Sequence, residues 1–167
     1  MTRPLTLVLV RHGRAEGNDP RLPDFERQLD PRGRAEAASL GRRLRARGLA
    51  SPRVLASPAL RTLQTAQVLL HAMDEPAEGV QTHPRLYLAG ADALADVVRQ
   101  APGDARTVIV VAHNPGIGDF ARWLAPAAAP EDFGTGEARI ALLSCPDWCS
   151  VDAGAAAEVA REPGRAQ

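Results

Sequence analysis

Two histidines and two arginines stand at the ends of short apolar runs, where a folded chain would present them together. Leu5–Val10 runs into Arg11-His12-Gly13, Val108–Ala112 into His113-Asn114-Pro115-Gly116, and Val54–Ala56 into Ser57-Pro58, with Arg61 one turn further on. A neutral imidazole is a nucleophile or a proton carrier near pH 7. A guanidinium keeps its charge, and its forked N–H groups match phosphate oxygens in pairs. Gathered on one anion, these groups would move a phosphoryl group: His12 attacks, Arg11 and Arg61 carry the oxygens' charge, and His113 adds a donor. Any one of them alone is uninformative, because a single histidine at a strand end is more often structural.

For these residues to converge, the runs must be parallel strands of one sheet, since ligand crevices in open sheets lie outside the strands' carboxyl ends. The rest of the chain fits. Arg14–Pro31 is a polar loop long enough to form a lid or rim. From Gly33 to Gly48 the spacing predicts a helix burying Ala37, Leu40, Gly41 and Leu44, with arginines 42, 43, 45 and 47 as a solvated face. A second helix follows Ser57-Pro58, with Ser57 as N-cap and Leu60, Leu63, Ala66, Gln67 and Leu70 inward. A weak strand near Val80–Tyr87, a helix over Asp92–Gln100, a helix from Pro115 and a last strand at Ala138–Leu143 complete the alternation. The pattern predicts an α/β three-layer sandwich with a mostly parallel central sheet over residues 1–152, then a mobile tail from 153 to 167.

Acidic and basic residues balance at 20 each, so no net field draws in nucleic acid or an anionic membrane. Every basic residue is arginine, which excludes a lysine-bearing phosphate loop, a Schiff base and a lysine general base. The apolar run before Arg11 is too short for a secretory core or a membrane span, and the expected location is cytoplasmic. Cys145 and Cys149 lack the redox Cys-x-x-Cys spacing and are expected as reduced structural thiols.

The motifs together resemble the histidine phosphatase superfamily. They are Arg11-His12-Gly13, Asn18 six residues after the histidine, Ser57-Pro58-Ala-Leu-Arg61-Thr-Leu-Gln64-Thr65-Ala66, and His113-Asn114-Pro115-Gly116. Leu29–Ala37 is similar to that superfamily's Leu-Thr-x-x-Gly-x-x-Gln-Ala stretch, and Phe133–Gly136 to a turn of its small SixA-type phosphohistidine phosphatases. The resemblance implies a phosphoglycerate mutase-like fold, a phospho-His12 intermediate, phosphoryl binding by Arg11 and Arg61, and transition-state stabilisation by His113. It also implies phosphate contact by Asn18, which equally suits a turn at Gly17-Asn18-Asp19. Gly13 and Asn114 are further candidates for substrate binding, and no metal or cofactor is called for.

Many superfamily members carry a glutamate as general acid in the loop after the third strand, where this chain reads Arg85-Leu86-Tyr87-Leu88-Ala89. An alkoxide leaving group without such an acid loses roughly 10²- to 10⁴-fold in rate. Imidazole leaves as a neutral molecule, which favours phosphohistidine on a protein as the substrate. Glu16, Asp19, Glu26 and Asp92 stay open as substitute acids. The alternatives are a phosphatase of small phosphate esters and a non-catalytic phosphate-binding module. Arg61, in a helix's first turn, is expected at the surface with little weight in stability.

Overall fold

The computed structural model describes residues 4–128 and 133–165. Its centre is a six-stranded sheet in the order β3-β2-β4-β1-β5-β6. The strands are β1 (Leu5–Arg11), β2 (Arg53–Ala56), β3 (Val80–Thr82), β4 (Thr107–Ala112), β5 (Ala138–Leu143) and β6 (Ala156–Glu162). The first four run parallel, β5 pairs antiparallel with β1, and β6 pairs antiparallel with β5. Helices α1 (Pro31–Ala46), α2 (Leu60–Ala72), α3 (Ala91–Arg99) and α4 (Gly116–Leu124) cover the two faces.

Successive strand side chains point to opposite faces, and both faces are loaded. Val8, Val10, Ile109 and Val111 pack with Leu40 and Leu44 of α1 and Ala66 and Leu69 of α2. Leu7, Leu9, Val108 and Val110 pack with Leu94 and Val98 of α3 and Ile117 and Phe120 of α4. Strands buried on both faces must be apolar throughout, which is why β1 and β4 read as continuous runs. The architecture is the expected three-layer α/β sandwich, with a mixed sheet. Among the described residues no helix is long and apolar enough to cross a membrane, and Cys145 and Cys149 are free thiols.

Helix α1 starts earlier than its apolar spacing suggests, because Asp30 caps it by accepting from the Gly33 N–H at 2.7 Å. Helix α2 corrects a second expectation: it starts after Ala59 with no side-chain cap, so Ser57 is not its N-cap. Its buried stripe is Arg61, Thr62, Thr65, Ala66, Leu69 and Leu70, while Gln67 is exposed. The helix can turn its threonines inward because each hydroxyl finds a backbone acceptor, Thr62 at Ser57 and Ala59 and Thr65 at Arg61.

The tail expected to be mobile instead supplies β6 along the edge of β5. Its last residue, Glu162, is 6% exposed, accepts from Arg43 Nε at 2.8 Å and also pairs with Arg47. Two of the arginines expected on a solvated face therefore hold the last strand. Alanine's weak strand preference concealed it.

Candidate active site

Strands β1 and β4 are in register with Arg11 opposite Ala112, so one further step places His12 beside His113. Their ring centroids lie 5.4 Å apart. On the far side of β4, the Ser57 N–H donates to Val111 O at 3.1 Å as β2 ends, and Ser57 Oγ lies 2.8 Å from His113 Nε2. Three parallel strand ends thus deliver their polar residues to one edge of the sheet.

Hydrogen bonding assigns each imidazole a tautomer. His12 Nδ1 lies 2.8 Å from the Gly13 carbonyl oxygen, which can only accept, so Nδ1 carries the proton and the Nε2 lone pair is free to attack. Arg61 Nη2 lies 3.3 Å from His113 Nδ1 and can only donate, so His113 carries its proton on Nε2 and donates it to Ser57 Oγ. Burial, against the pull of the Gly13 carbonyl and aided by the charges of Arg61, Arg11 and Arg27, pushes His12 down to about 4. Burial, then the neighbouring His12 and Arg61, pushes His113 down to about 3. Both rings are neutral at pH 7.

The two arginines are held differently. Arg61 is 4% exposed rather than at the surface, and donates from Nη1 to the Asp24 carbonyl at 2.7 Å and from Nη2 to Asp24 Oδ2 at 2.9 Å. Arg11 donates from Nη1 to the Phe133 carbonyl at 2.9 Å, an oxygen that also accepts from Asn114 Nδ2 at 3.0 Å. Burial lowers the Arg11 pKa while Glu36 opposes the shift, and Arg11 Nε is a buried donor with no partner among the described residues. An oxyanion arriving beside it would relieve that desolvation.

The Ser-Pro-x-x-Arg-x-x-Gln-Thr-Ala segment holds the cluster together. Thr65 Oγ1 accepts from the Gly13 N–H at 3.0 Å and donates to Arg61 O at 2.7 Å, tying the exit of β1 to the first turn of α2. Gln64 Oε1 accepts from the Leu29 N–H at 2.8 Å and so anchors the loop between β1 and α1. The backbone after His12 runs hard against α1: a Cβ on Gly33 would lie 2.0 Å from Arg14 O. Buried Glu36 accepts the Arg14 N–H there at 3.0 Å.

His12, Arg11, Arg61, His113, Gly13 and Asn114 are brought together as expected from their spacing. Asn18 is exposed and forms no hydrogen bond to the cluster. Of the open carboxylates, Asp19 pairs with Arg21 at 2.9 Å, and Glu16, Glu26 and Asp92 are exposed. The acid that reaches the cluster is Asp24. Its carboxylate also accepts from Tyr87 OH at 3.0 Å and from Arg27 at 3.2 Å. Burial pushes the Asp24 carboxyl up, but hydrogen bonds from Arg61, Tyr87 and Arg27 outweigh it and hold the group below the ordinary carboxylate value. The Tyr87 ring stands 5.7 Å from that of His113. Neither role has a local signature, since both rest on contacts between loops.

An α/β sheet that converges two neutral imidazoles and two guanidinium groups at its carboxyl edge is the framework of a phosphoryl-handling protein. Residues 7–87 match the model of the histidine phosphatase superfamily (branch 1). An uncharacterised protein of Picosynechococcus sp. is 30% identical over 128 residues, covering 72% of this chain and 73% of that protein. One from Mycobacterium leprae is 30% identical over 126 residues, covering 74% and 75%. Among solved structures, the candidate phosphohistidine phosphatase SixA of Nakamurella multipartitia superposes with a TM-score of 0.80 at 28% identity over 97% of both chains. Its counterpart from Agrobacterium tumefaciens gives 0.74 at 25% identity over 85% of this chain and 94% of the other. The chain belongs to the histidine phosphatase superfamily and has its phosphoglycerate mutase-like fold. Membership and these structural neighbours support phosphatase activity.

Proposed function

We propose that this chain hydrolyses phosphohistidine on a protein substrate through a phospho-His12 intermediate, with no metal or cofactor. The His12 Nε2 lone pair forms a bond to phosphorus as the substrate's P–N bond breaks, and the substrate imidazole leaves as a neutral ring after taking a proton from solvent. Water then attacks phospho-His12 and releases phosphate. Arg11 and Arg61 carry the charge of the equatorial oxygens. Gly13 and Asn114 contribute to substrate binding, and Asn18 would do so only if its exposed loop position reaches the bound phosphoryl group. His113 accepts from Arg61 Nη2 and is itself held by Ser57, so it stabilises the transition state by fixing the guanidinium that faces the phosphoryl oxygens.

The observation that carries the substrate assignment is the state of Asp24. It accepts from the same Arg61 nitrogen that meets His113, and Arg61, Tyr87 and Arg27 hold it ionised. An ionised carboxylate cannot protonate an alkoxide, so ester hydrolysis at this site forgoes roughly 10²- to 10⁴-fold in rate. Imidazole, a far weaker base than alkoxide, leaves without that help. The test compares phosphate release from a histidine-phosphorylated protein with release from an aryl phosphate and a sugar phosphate. The phosphorylated protein should be the best substrate by kcat/KM, and His12→Ala should abolish turnover of all three. Release from the sugar phosphate with the phosphorylated protein untouched would overturn the assignment.

A further inference from the structure

Among the described residues, the large apolar side chains left exposed are Leu22, Phe25 and Leu88. Exposed apolar residues scattered singly are ordinary, but these three stand on the two segments that meet over Arg61. Leu22 and Phe25 flank Asp24 in the loop between β1 and α1, and Leu88 follows Tyr87 between β3 and α3. The segments are joined by the 3.0 Å bond from Tyr87 OH to Asp24 and by the Phe25 ring, 5.2 Å from that of Tyr87.

Leu88 is the most telling of the three. It is 61% exposed and its φ is 49°, a left-handed backbone that crowds the Cβ of leucine. No burial within the molecule offsets that strain. Nor is the segment slack: Leu86 is fully buried, and a Cβ on Gly116 would lie 1.7 Å from Ala89 O. The leucine is held in solvent next to Tyr87 by a tightly packed backbone.

Resting on the phosphohistidine reading above, we propose that Leu22, Phe25 and Leu88 form a docking rim for the folded protein that carries the phosphohistidine. The occupant must meet the charged floor and the apolar rim at once. A sugar phosphate is polar on every side and leaves the rim in water, whereas a phosphohistidine set in an apolar surface patch supplies the anion for Arg11 and Arg61 and apolar area for the rim.

The test uses Leu22→Ser and Leu88→Gly, singly and combined, on a histidine-phosphorylated protein and on phosphoramidate. Glycine suits the φ of Leu88, so Leu88→Gly should not lower Tm, which separates docking from folding. The double variant should lose about tenfold or more in kcat/KM on the protein, mostly through KM, as expected for two apolar contacts at an interface. Its kcat/KM on phosphoramidate should stay within about twofold. Equal losses on both substrates, or no loss on either, overturn the rim and leave the phosphatase reading standing. A wild-type protein that hydrolyses phosphoramidate but no phosphorylated protein overturns both.

Discussion

His12 should remain an unprotonated nucleophile far into the acid range. With an ordinary pKa of about 6.5, an imidazole is only about 9% neutral at pH 5.5. With its value pushed down to about 4, His12 is about 97% neutral there. When phosphoryl transfer to His12 limits the rate, activity at pH 5.5 should therefore stand about tenfold above what an ordinary imidazole permits. His113, at about 3, adds no break in that range. Two measurements check this: the pH titration of the imidazole C–H resonances, and the burst of base-stable phosphoenzyme trapped in alkali between pH 4.5 and 8. Neither ring should titrate above about pH 5, and the burst rate should be flat down to it. An inflection near 6.5 assigned to His12 would refute the reasoning.

The same shift bears on stability. Unfolded His12 takes up its proton near pH 6.5 and folded His12 only near 4, so between these values the unfolded chain binds more protons. The stabilisation is complete above 6.5 and is lost as pH falls toward 4. From the two pKa values His12 alone should cost about 2 kcal/mol between pH 7 and pH 5, read from denaturant midpoints. Added phosphate should act in the opposite sense, because an anion bound beside His12 favours its protonated form.

Arg61→Ala should lower kcat/KM by about 10³-fold or more, since it removes a fork that binds the transferring group. It should also lower stability by about 1–3 kcal/mol, because Asp24 and His113 lose a partner that is itself buried, and a thermal melt unchanged from wild type would contradict that. Asp24→Asn should tighten inhibition by phosphate or vanadate about 3- to 10-fold, as one partly screened negative charge leaves the neighbourhood of the anion. If it instead abolishes turnover of aryl phosphates and leaves phosphate affinity unchanged, Asp24 is a proton donor and the substrate argument fails.

The parts of the site legible in the sequence are those borne on regular elements. Strands β1 and β4 are buried on both faces and so apolar along their length, which marks their ends and puts Arg11, His12 and His113 at one sheet edge. Arg61 follows from the same logic one helical turn beyond β2, although its burial does not. Ser57 shows where that logic stops. A serine before a helix satisfies the rule for an N-cap, yet its hydroxyl serves His113 across the sheet, and the choice between the two is made by tertiary pairing. Asp24 lies further out of reach. The loop that carries it is closed at its neck by the Ala15–Leu29 bridge and by Glu16 N–H to Gln28 O, and Gln64 pins it from 35 residues away. No periodicity within the loop distinguishes Asp24 from Glu16, Asp19 or Glu26, so which carboxylate joins the cluster is decided by Arg61 and Tyr87, 37 and 63 residues distant. The same holds for β6, whose alanines carry no strand signal and whose place is set by the free edge of β5 and the arginines that meet Glu162. Local pattern thus places the proposed nucleophile and the two guanidinium groups beside it. Asp24, on which the proposed leaving-group preference rests, depends on long-range loop closure, which a short-range reading does not contain.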